Sequence, residues 1–183
     1  MRGRWLVNGR KRGVLGSEPA TYVLDANVLI DFLDIDLEIF LLAANHLGYV
    51  LVSSQVVIDE VDGLTVKRCT EVGIQCIDPT MKHLAIAQES HPALSFHDLL
   101  CFALTRERDG ICVTNDKKLR EHCTEHGMNV LWGLQMILDL VELRAIEKGR
   151  ALQVAREICE ENPTLGEVIL QSFSEKIRKI GGS

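Results

Sequence analysis

Four carboxylates are the residues whose types and positions in this sequence could support chemistry. Clusters of three or four carboxylates suit hard cations such as Mg²⁺ or Mn²⁺, which prefer oxygen ligands and keep several waters. One bound ion can activate a water, and a second can stabilise the leaving oxygen of a phosphodiester, so no side-chain nucleophile is required. The candidate catalytic and metal-binding residues are Asp25, Glu60, Asp98 and Asp116.

Two of these acids are expected at the ends of predicted strands. Asp25 ends the apolar run TYVLD, and Asp116 follows the run GICVTN. Ligands of open parallel sheets gather beyond the carboxyl ends of the strands, so both carboxylates should lie at one rim of the sheet. A structural alternative stays open, because Asp116 could be the N-cap of the helix KKLREH and Asn27 a cap or turn residue.

Helical phase distinguishes Glu60 from its acidic neighbours. At about 100° per residue, Val57, Val61 and Leu64 form one inward stripe, and Glu60 falls within about 60° of its centre. Asp59 points away from this stripe. An inward carboxylate is costly without a metal, a cation or a proton, so Glu60 is expected to have such a partner.

Asp98 precedes the run LLCFAL, which is apolar nearly all round and predicts a helix buried against the sheet. Ser95 and Asp98 also match the S-x-x-D capping box, which is a purely structural explanation. Capping could explain Asp98 or Asp116 alone. It gives no reason for an inward Glu60 and a strand-end Asp25 as well.

The elements that must position these acids alternate between strand and helix from residue 20 onwards. This alternation predicts an α/β fold, a three-layer sandwich with a five-stranded parallel sheet flanked by helices, followed by C-terminal helices. We expect a basic N-terminal extension over 1–19, an α/β domain over 20–145, and a helical extension over 146–183 that packs on the domain or a second subunit. Between the last two helices, Pro163 should break the first, and Thr164 with Glu167 should form a capping box for the second. The predicted strands are TYVLD, GYVLVS, GIQCI, GICVT and NVLW.

Composition narrows the class of protein. The formal net charge of −6 argues against sequence-blind duplex binding, although residues 1–17 carry five basic and no acidic side chains. No apolar run approaches the roughly 18 residues of a membrane span and the start resembles no signal peptide, which predicts a cytoplasmic protein without membrane contact. The six cysteines form no CxxC pair and are expected to be reduced core thiols.

Three segments resemble the four motifs of the PIN domain family, in the family's order. YVLDANVLIDFL resembles the opening motif, VVIDEVDGL the second, and LSFHDLLCFALTRERDGICVTNDKKLR the third and fourth together. The resemblance covers roughly Tyr22 to Ile137. It carries over to the four acids and to three supporting residues, Asn27, Thr114 and Asn115.

The resemblance implies a Mg²⁺- or Mn²⁺-dependent endoribonuclease acting on single-stranded RNA, with frequent homodimerisation. Many bacterial and archaeal members are VapC-like toxins, each held inactive by a small antitoxin whose tail enters the acidic groove. Flanking phosphates would need cations, although charged helix faces are usually solvated surface. The aromatic content of 5% offers no evident stacking platform. The candidate RNA contacts are Lys67, Arg68, Lys117, Lys118 and Arg120.

The same sequence also offers alternatives to a nuclease. A catalytically silent PIN-fold module could use its groove for protein or RNA contacts. His122 and His126 stand at zinc-ligand spacing beside Cys123, but the Glu of H-E-x-x-H is missing.

His97, beside Asp98, could move a proton. Phosphotransfer through Asp25 is disfavoured because no second Asp follows it two residues later, and no Gly-rich phosphate loop is present.

Overall fold

The computed structural model describes residues 19–89, 91–162 and 165–180. The predicted basic extension lies outside these residues except for residue 19, and so do Pro163 and Thr164 of the predicted breaker and capping box. Within the described part, the last helix begins at Gly166, and Glu167 lies in its first turn.

Five parallel strands form one sheet, as the strand–helix alternation predicts. Their spatial order is β3-β2-β1-β4-β5, so the direction of strand addition reverses between the first strand and the fourth. Ligand sites in such sheets lie beyond the carboxyl ends of the strands at this reversal. The strands are β1 (Ala20–Leu24), β2 (Gly48–Ser53), β3 (Ile74–Ile77), β4 (Ile111–Val113) and β5 (Asn129–Leu131).

Helices connect the strands and cover both faces of the sheet. They are α1 (Ala26–Leu33), α2 (Glu38–His46), α3 (Ser54–Glu60), α4 (Val66–Glu71), α5 (Met81–Ala87), α6 (Phe96–Glu107), α7 (Lys117–Glu125), α8 (Gly133–Glu142), α9 (Lys148–Glu161) and α10 (Gly166–Lys179).

Alternate residues of β1 pack into two separate cores. Tyr22 and Leu24 lie in the larger core with α1, α2 and α8, whereas Val23 lies in the smaller core with α6 and α7. This alternation follows from strand geometry, in which successive side chains point to opposite faces. The chain is therefore a three-layer α/β sandwich with the sheet in the middle.

The two C-terminal helices belong to the larger core. Ala155 and Ile158 of α9 and Phe173 and Ile177 of α10 are buried in it. Their predicted packing partner was either the domain or a second subunit, and within this chain they pack on the domain. None of the described helices is long and apolar enough to cross a membrane.

Four of the predicted strands differ from the observed ones by one residue at one or both ends, and two helices differ more. Helix α4 was not predicted; its N-cap is Thr65, whose hydroxyl accepts a hydrogen bond from the Arg68 amide at 3.1 Å. Helix α3 ends at Glu60, so Val61 and Leu64 of the predicted inward stripe lie beyond it. The cysteines agree with expectation, because all six are free and four are buried.

Candidate active site

The four predicted acids line one pocket of about 530 Å³ at the strand-order reversal. They come from four separate segments: the end of β1, the end of α3, the first turn of α6 and the residue before α7. The loop before α6 and the exposed side of α1 complete the pocket. Its lining residues are Asp25, Ala26, Asn27, Ile30, Glu60, Ala93, Ser95, Asp98, Asp116 and Lys118.

Asp25 is the most buried of the four acids, with 2% of its surface exposed. Its Oδ1 accepts a hydrogen bond from the Ala26 amide at 2.8 Å, and its Oδ2 accepts one from the Thr114 hydroxyl at 2.7 Å. Burial raises the pKa of Asp25 to about 6, the Thr114 hydrogen bond opposes the rise, and the charge of Asp98 adds to it. A buried carboxylate of this kind favours a proton or a cation at neutral pH.

Asp98 and Asp116 both cap helices, so the structural explanations for them are correct. Asp98 Oδ2 accepts from the Ser95 amide at 2.7 Å, which completes a capping box for α6. Asp116 Oδ1 accepts from the Leu119 amide at 2.8 Å at the start of α7.

Capping occupies one oxygen of each of these carboxylates and fixes the orientation of the other. Among the described residues, none donates a hydrogen bond to Asp98 Oδ1 or Asp116 Oδ2. Because both side chains also line the pocket, capping and ligand binding are compatible in them.

The prediction of an inward Glu60 is wrong. Its side chain is 33% exposed, and Nδ1 of His97 lies 3.0 Å from its Oε1. Asp59, which was expected to point away, contacts the other ring nitrogen of His97 at 2.9 Å. Helical phase failed here because α3 ends at Glu60 and because His97 of α6 draws both carboxylates towards itself.

Electrostatics connect Glu60 with the rest of the pocket. Burial raises the pKa of Glu60, His97 lowers it, and Asp98 raises it. The charge of Asp98 thus acts on both Asp25 and Glu60, which indicates that Asp98 lies near both of them. His97 was not among the predicted site residues, and the only signal for it was its position beside Asp98.

The three supporting residues have different roles in the structure. Asn27 donates to Asp25 Oδ2 at 3.3 Å. Thr114 donates to the same oxygen and also accepts from the Asp116 amide at 3.0 Å, so it links the two strand-end acids. Asn115 does not line the pocket; its side chain donates to Asp31 at 2.6 Å and accepts from the Gly133 amide at 3.1 Å.

Of the five candidate RNA contacts, Lys118 lies in the pocket. Lys117 pairs with Glu121 along α7, and Lys67 and Arg68 both pair with Glu71 along α4. Arg120 stacks on the ring of Trp132. Lys118 is the one basic side chain among the described residues that line the pocket.

A second cavity of about 540 Å³ lies at the turn between α8 and α9. Its acids Glu142 and Glu147 are accompanied by the basic residues Arg144 and Lys148. It lies away from the carboxyl ends of the strands, where parallel sheets bind ligands. We therefore regard the pocket at the strand-order reversal as the candidate active site.

The donor atoms of the pocket fit a hard cation. All its acids offer carboxylate oxygens, and Mg²⁺ is commonly held by one or two carboxylates with water completing the shell. In the described part of the chain, no group of three or more His, Cys, Asp or Glu could hold a metal ion by itself. The donor atoms are therefore of the type that a hard cation prefers, and an ion held here would need water to complete its shell.

The zinc alternative has little support in the geometry. Cys123 is fully buried in the smaller core, whereas His122 is half-buried and His126 exposed, with ring centroids 4.4 Å apart and planes tilted by 48°. His126 Nδ1 lies 2.9 Å from the carbonyl oxygen of His122. The predicted ligands thus face different surroundings.

Comparisons with family models, with curated proteins and with solved structures found no match for this chain. The functional argument therefore depends on the pocket itself.

Proposed function

We propose that this chain is a PIN-like endoribonuclease that hydrolyses phosphodiester bonds in single-stranded RNA with Mg²⁺ or Mn²⁺. One observation supports this most strongly. Four carboxylates from separate segments line a single pocket at the strand-order reversal, and one lysine accompanies them. Such an excess of acid favours an external cation, and a cation held by carboxylates is suited to phosphate chemistry.

We assign a separate role in metal binding, water orientation or phosphate binding to each of these residues. Asp25, Asp98 and Asp116 would hold the ion, and Glu60 would bind through water or orient the attacking water. Thr114 would fix Asp25 relative to the Asp116 backbone through its two hydrogen bonds. When bound, the ion would supply Lewis-acid stabilisation of the charge that develops on the phosphate. Lys118 would attract a flanking phosphate.

Cleavage of a mixed single-stranded RNA pool tests this proposal. We expect the wild-type protein to cut RNA with Mg²⁺ or Mn²⁺ and not with chelator, and the Asp25→Asn variant to lose cutting while staying folded. Asp34→Asn is the matched control, because Asp34 is an exposed acid at the other end of α1 and does not line the pocket. A folded wild-type protein that is inert in every condition would contradict the nuclease and favour the catalytically silent binding module.

The resemblance further predicts a homodimer and, for a toxin, a small antitoxin partner. These stay predictions. Adjacent reading frames provide a direct test of the toxin hypothesis, because an antitoxin should be a short DNA-binding chain encoded beside its toxin. Absence of such a frame would leave the nuclease proposal standing and remove the toxin.

A further inference from the structure

The Arg120 guanidinium lies over the Trp132 ring at the rim that carries the pocket. The guanidinium carbon of Arg120 lies 3.8 Å from the centre of the Trp132 ring. Arg120 Nη1 also donates to the carbonyl oxygen of Asn115 at 2.7 Å. The guanidinium plane is thereby held in place, yet the indole remains 38% exposed.

Strand register locates this stack relative to the site. Val113 of β4 pairs with Leu131 of β5, and the Thr114 amide donates to the Leu131 carbonyl at 3.0 Å. Trp132 therefore follows β5 at the same rim at which Asp116 follows β4. The charge of Asp116 also acts on Arg120, so the stack lies within electrostatic range of the pocket acids.

The chemistry of such a surface matches nucleobases. Single-stranded RNA is recognised mainly by stacking its bases on aromatic rings or on arginine planes, because every base has a π-face. A strand whose phosphate lies between Asp25 and Asp116 would meet Trp132 and Arg120 if it continued towards β5. Lys118, from the first turn of the same helix as Arg120, would contact the phosphate between them.

We propose that Arg120 and Trp132 are a nucleobase subsite, which stacks one base of the RNA adjacent to the scissile phosphate. This inference rests on the proposed nuclease function and adds a substrate-binding surface to it. Affinity should then depend on the bases and not on phosphate charge alone. Each stacked base typically strengthens binding by about 5-fold to 100-fold.

Tryptophan fluorescence reports on the subsite directly. The chain has two tryptophans, Trp5 and Trp132, so a Trp5→Phe protein retains Trp132 alone. In an Asp25→Asn background that prevents cleavage, we would titrate this protein with a six-nucleotide oligoadenylate and with an abasic ribose-phosphate oligomer of equal charge. We expect the oligoadenylate to quench Trp132 and to bind at least about 5-fold tighter than the abasic oligomer.

Variants separate stacking from a purely structural role. In the otherwise wild-type enzyme, Trp132→Leu and Arg120→Lys should raise KM for RNA about 5-fold or more with little change in kcat, and Trp132→Tyr should restore most of the affinity. Arg106→Lys is the matched control: Arg106 also stacks on a ring, at 5.3 Å, but that ring belongs to Phe102, which is buried and cannot take a base.

The outcomes distinguish this inference from the proposed function. If the protein cleaves RNA but binds both oligomers equally without a change in Trp132 fluorescence, the subsite is wrong and the nuclease stands. An effect of Trp132→Leu on KM no larger than that of Arg106→Lys would also overturn the subsite. A protein that neither cleaves nor binds RNA would refute the nuclease, and the subsite with it.

Discussion

Two acidic clusters in this protein differ in how their charge is balanced. Arg150 of α9 binds both Asp36, in the loop before α2, and Glu38, the first residue of α2. Two guanidinium nitrogens contact Asp36 at 2.8 and 2.9 Å, and one contacts Glu38 at 3.1 Å. The active-site pocket contains more acids, and none of them pairs with an arginine or lysine in the described part of the chain. Glu60 contacts His97, whose charge depends on protonation.

The difference indicates why the two clusters exist. Arg150 balances the charge of Asp36 and Glu38 within the protein, although this cluster lies largely at the surface. Buried charges need such a partner more than exposed ones do. In the pocket, Asp25 is more buried than either acid of the Arg150 cluster, yet among the described residues it accepts hydrogen bonds only from neutral donors. An acidic site built without an internal cation is suited to receive one from solution. The three predictions below test this contrast.

The largest expected effect is on catalysis. Asp98→Asn should reduce metal-dependent RNA cleavage by about 100-fold or more, because it removes a charge that would hold the ion. The fold should survive, since an asparagine side-chain oxygen can still accept from the Ser95 amide. Circular dichroism and single-turnover cleavage with Mn²⁺ would measure both.

Asp36→Asn is the counterpart in the other cluster. It removes a carboxylate of the Arg150 pair and should leave the cleavage rate within about 2-fold of wild type. Equal losses of activity in Asp98→Asn and Asp36→Asn would mean that the pocket acids have no special role.

The second effect is on stability in the absence of metal. The pKa of Asp25 is raised from 3.8 to about 6 in the folded chain, so the folded state holds the proton more tightly than the unfolded state. The resulting stabilisation is fully present below about pH 4 and is lost as the pH rises through 6. At pH 7.5 the buried carboxylate should therefore cost about 3 kcal/mol.

Asp25→Asn avoids that cost. In urea unfolding with chelator, we expect the variant to be more stable than wild type at pH 7.5 by roughly 1 to 3 kcal/mol, with the difference shrinking towards pH 4. Adding Mn²⁺ should stabilise wild type and not the variant. A variant less stable than wild type at pH 7.5 would show that the Ala26 and Thr114 hydrogen bonds outweigh burial of the charge.

Local rules were sufficient to predict the positions of Asp25 and Asp116. Both follow apolar strands, and parallel strands end at one rim, so composition and alternation alone indicated the sheet and two of its acids. The helix-capping roles of Asp98 and Asp116 were likewise visible as short motifs.

Contacts between distant segments could not be predicted in this way. Glu60 was placed inward because helical phase says nothing about where α3 ends or about His97, which approaches from another helix. Asn115 was grouped with the site because the resemblance to the family motifs carried over to it, whereas in the structure its side chain donates to Asp31 of α1 and does not line the pocket. The contact of Arg120 with Trp132 depends on the register of β4 with β5, which the sequence does not give. The low aromatic content therefore gave no indication of it.

The smallest effect is expected from removing the internal cation of the paired cluster. Arg150→Gln should lower the free energy of unfolding by about 0.5 to 1 kcal/mol, because the pair is largely at the surface and water screens it. Urea unfolding at pH 7.5 would measure this change. RNA cleavage should be unaffected.

The same variant tests whether neighbouring carboxylates are enough to bind a metal ion or whether the arrangement of the pocket is required. Without Arg150, Asp36 and Glu38 become two neighbouring carboxylates with no bound cation, although Glu38 is 72% exposed. The measurement uses the Arg150→Gln, Asp25→Asn double variant, in which the pocket should no longer bind Mn²⁺. If neighbouring carboxylates were enough, Mn²⁺ would bind Asp36 and Glu38 and restore the free energy of unfolding lost with Arg150. We expect no such rescue, because exposed acids keep their own water and lack the buried, hydrogen-bonded frame that orients Asp25, Asp98 and Asp116.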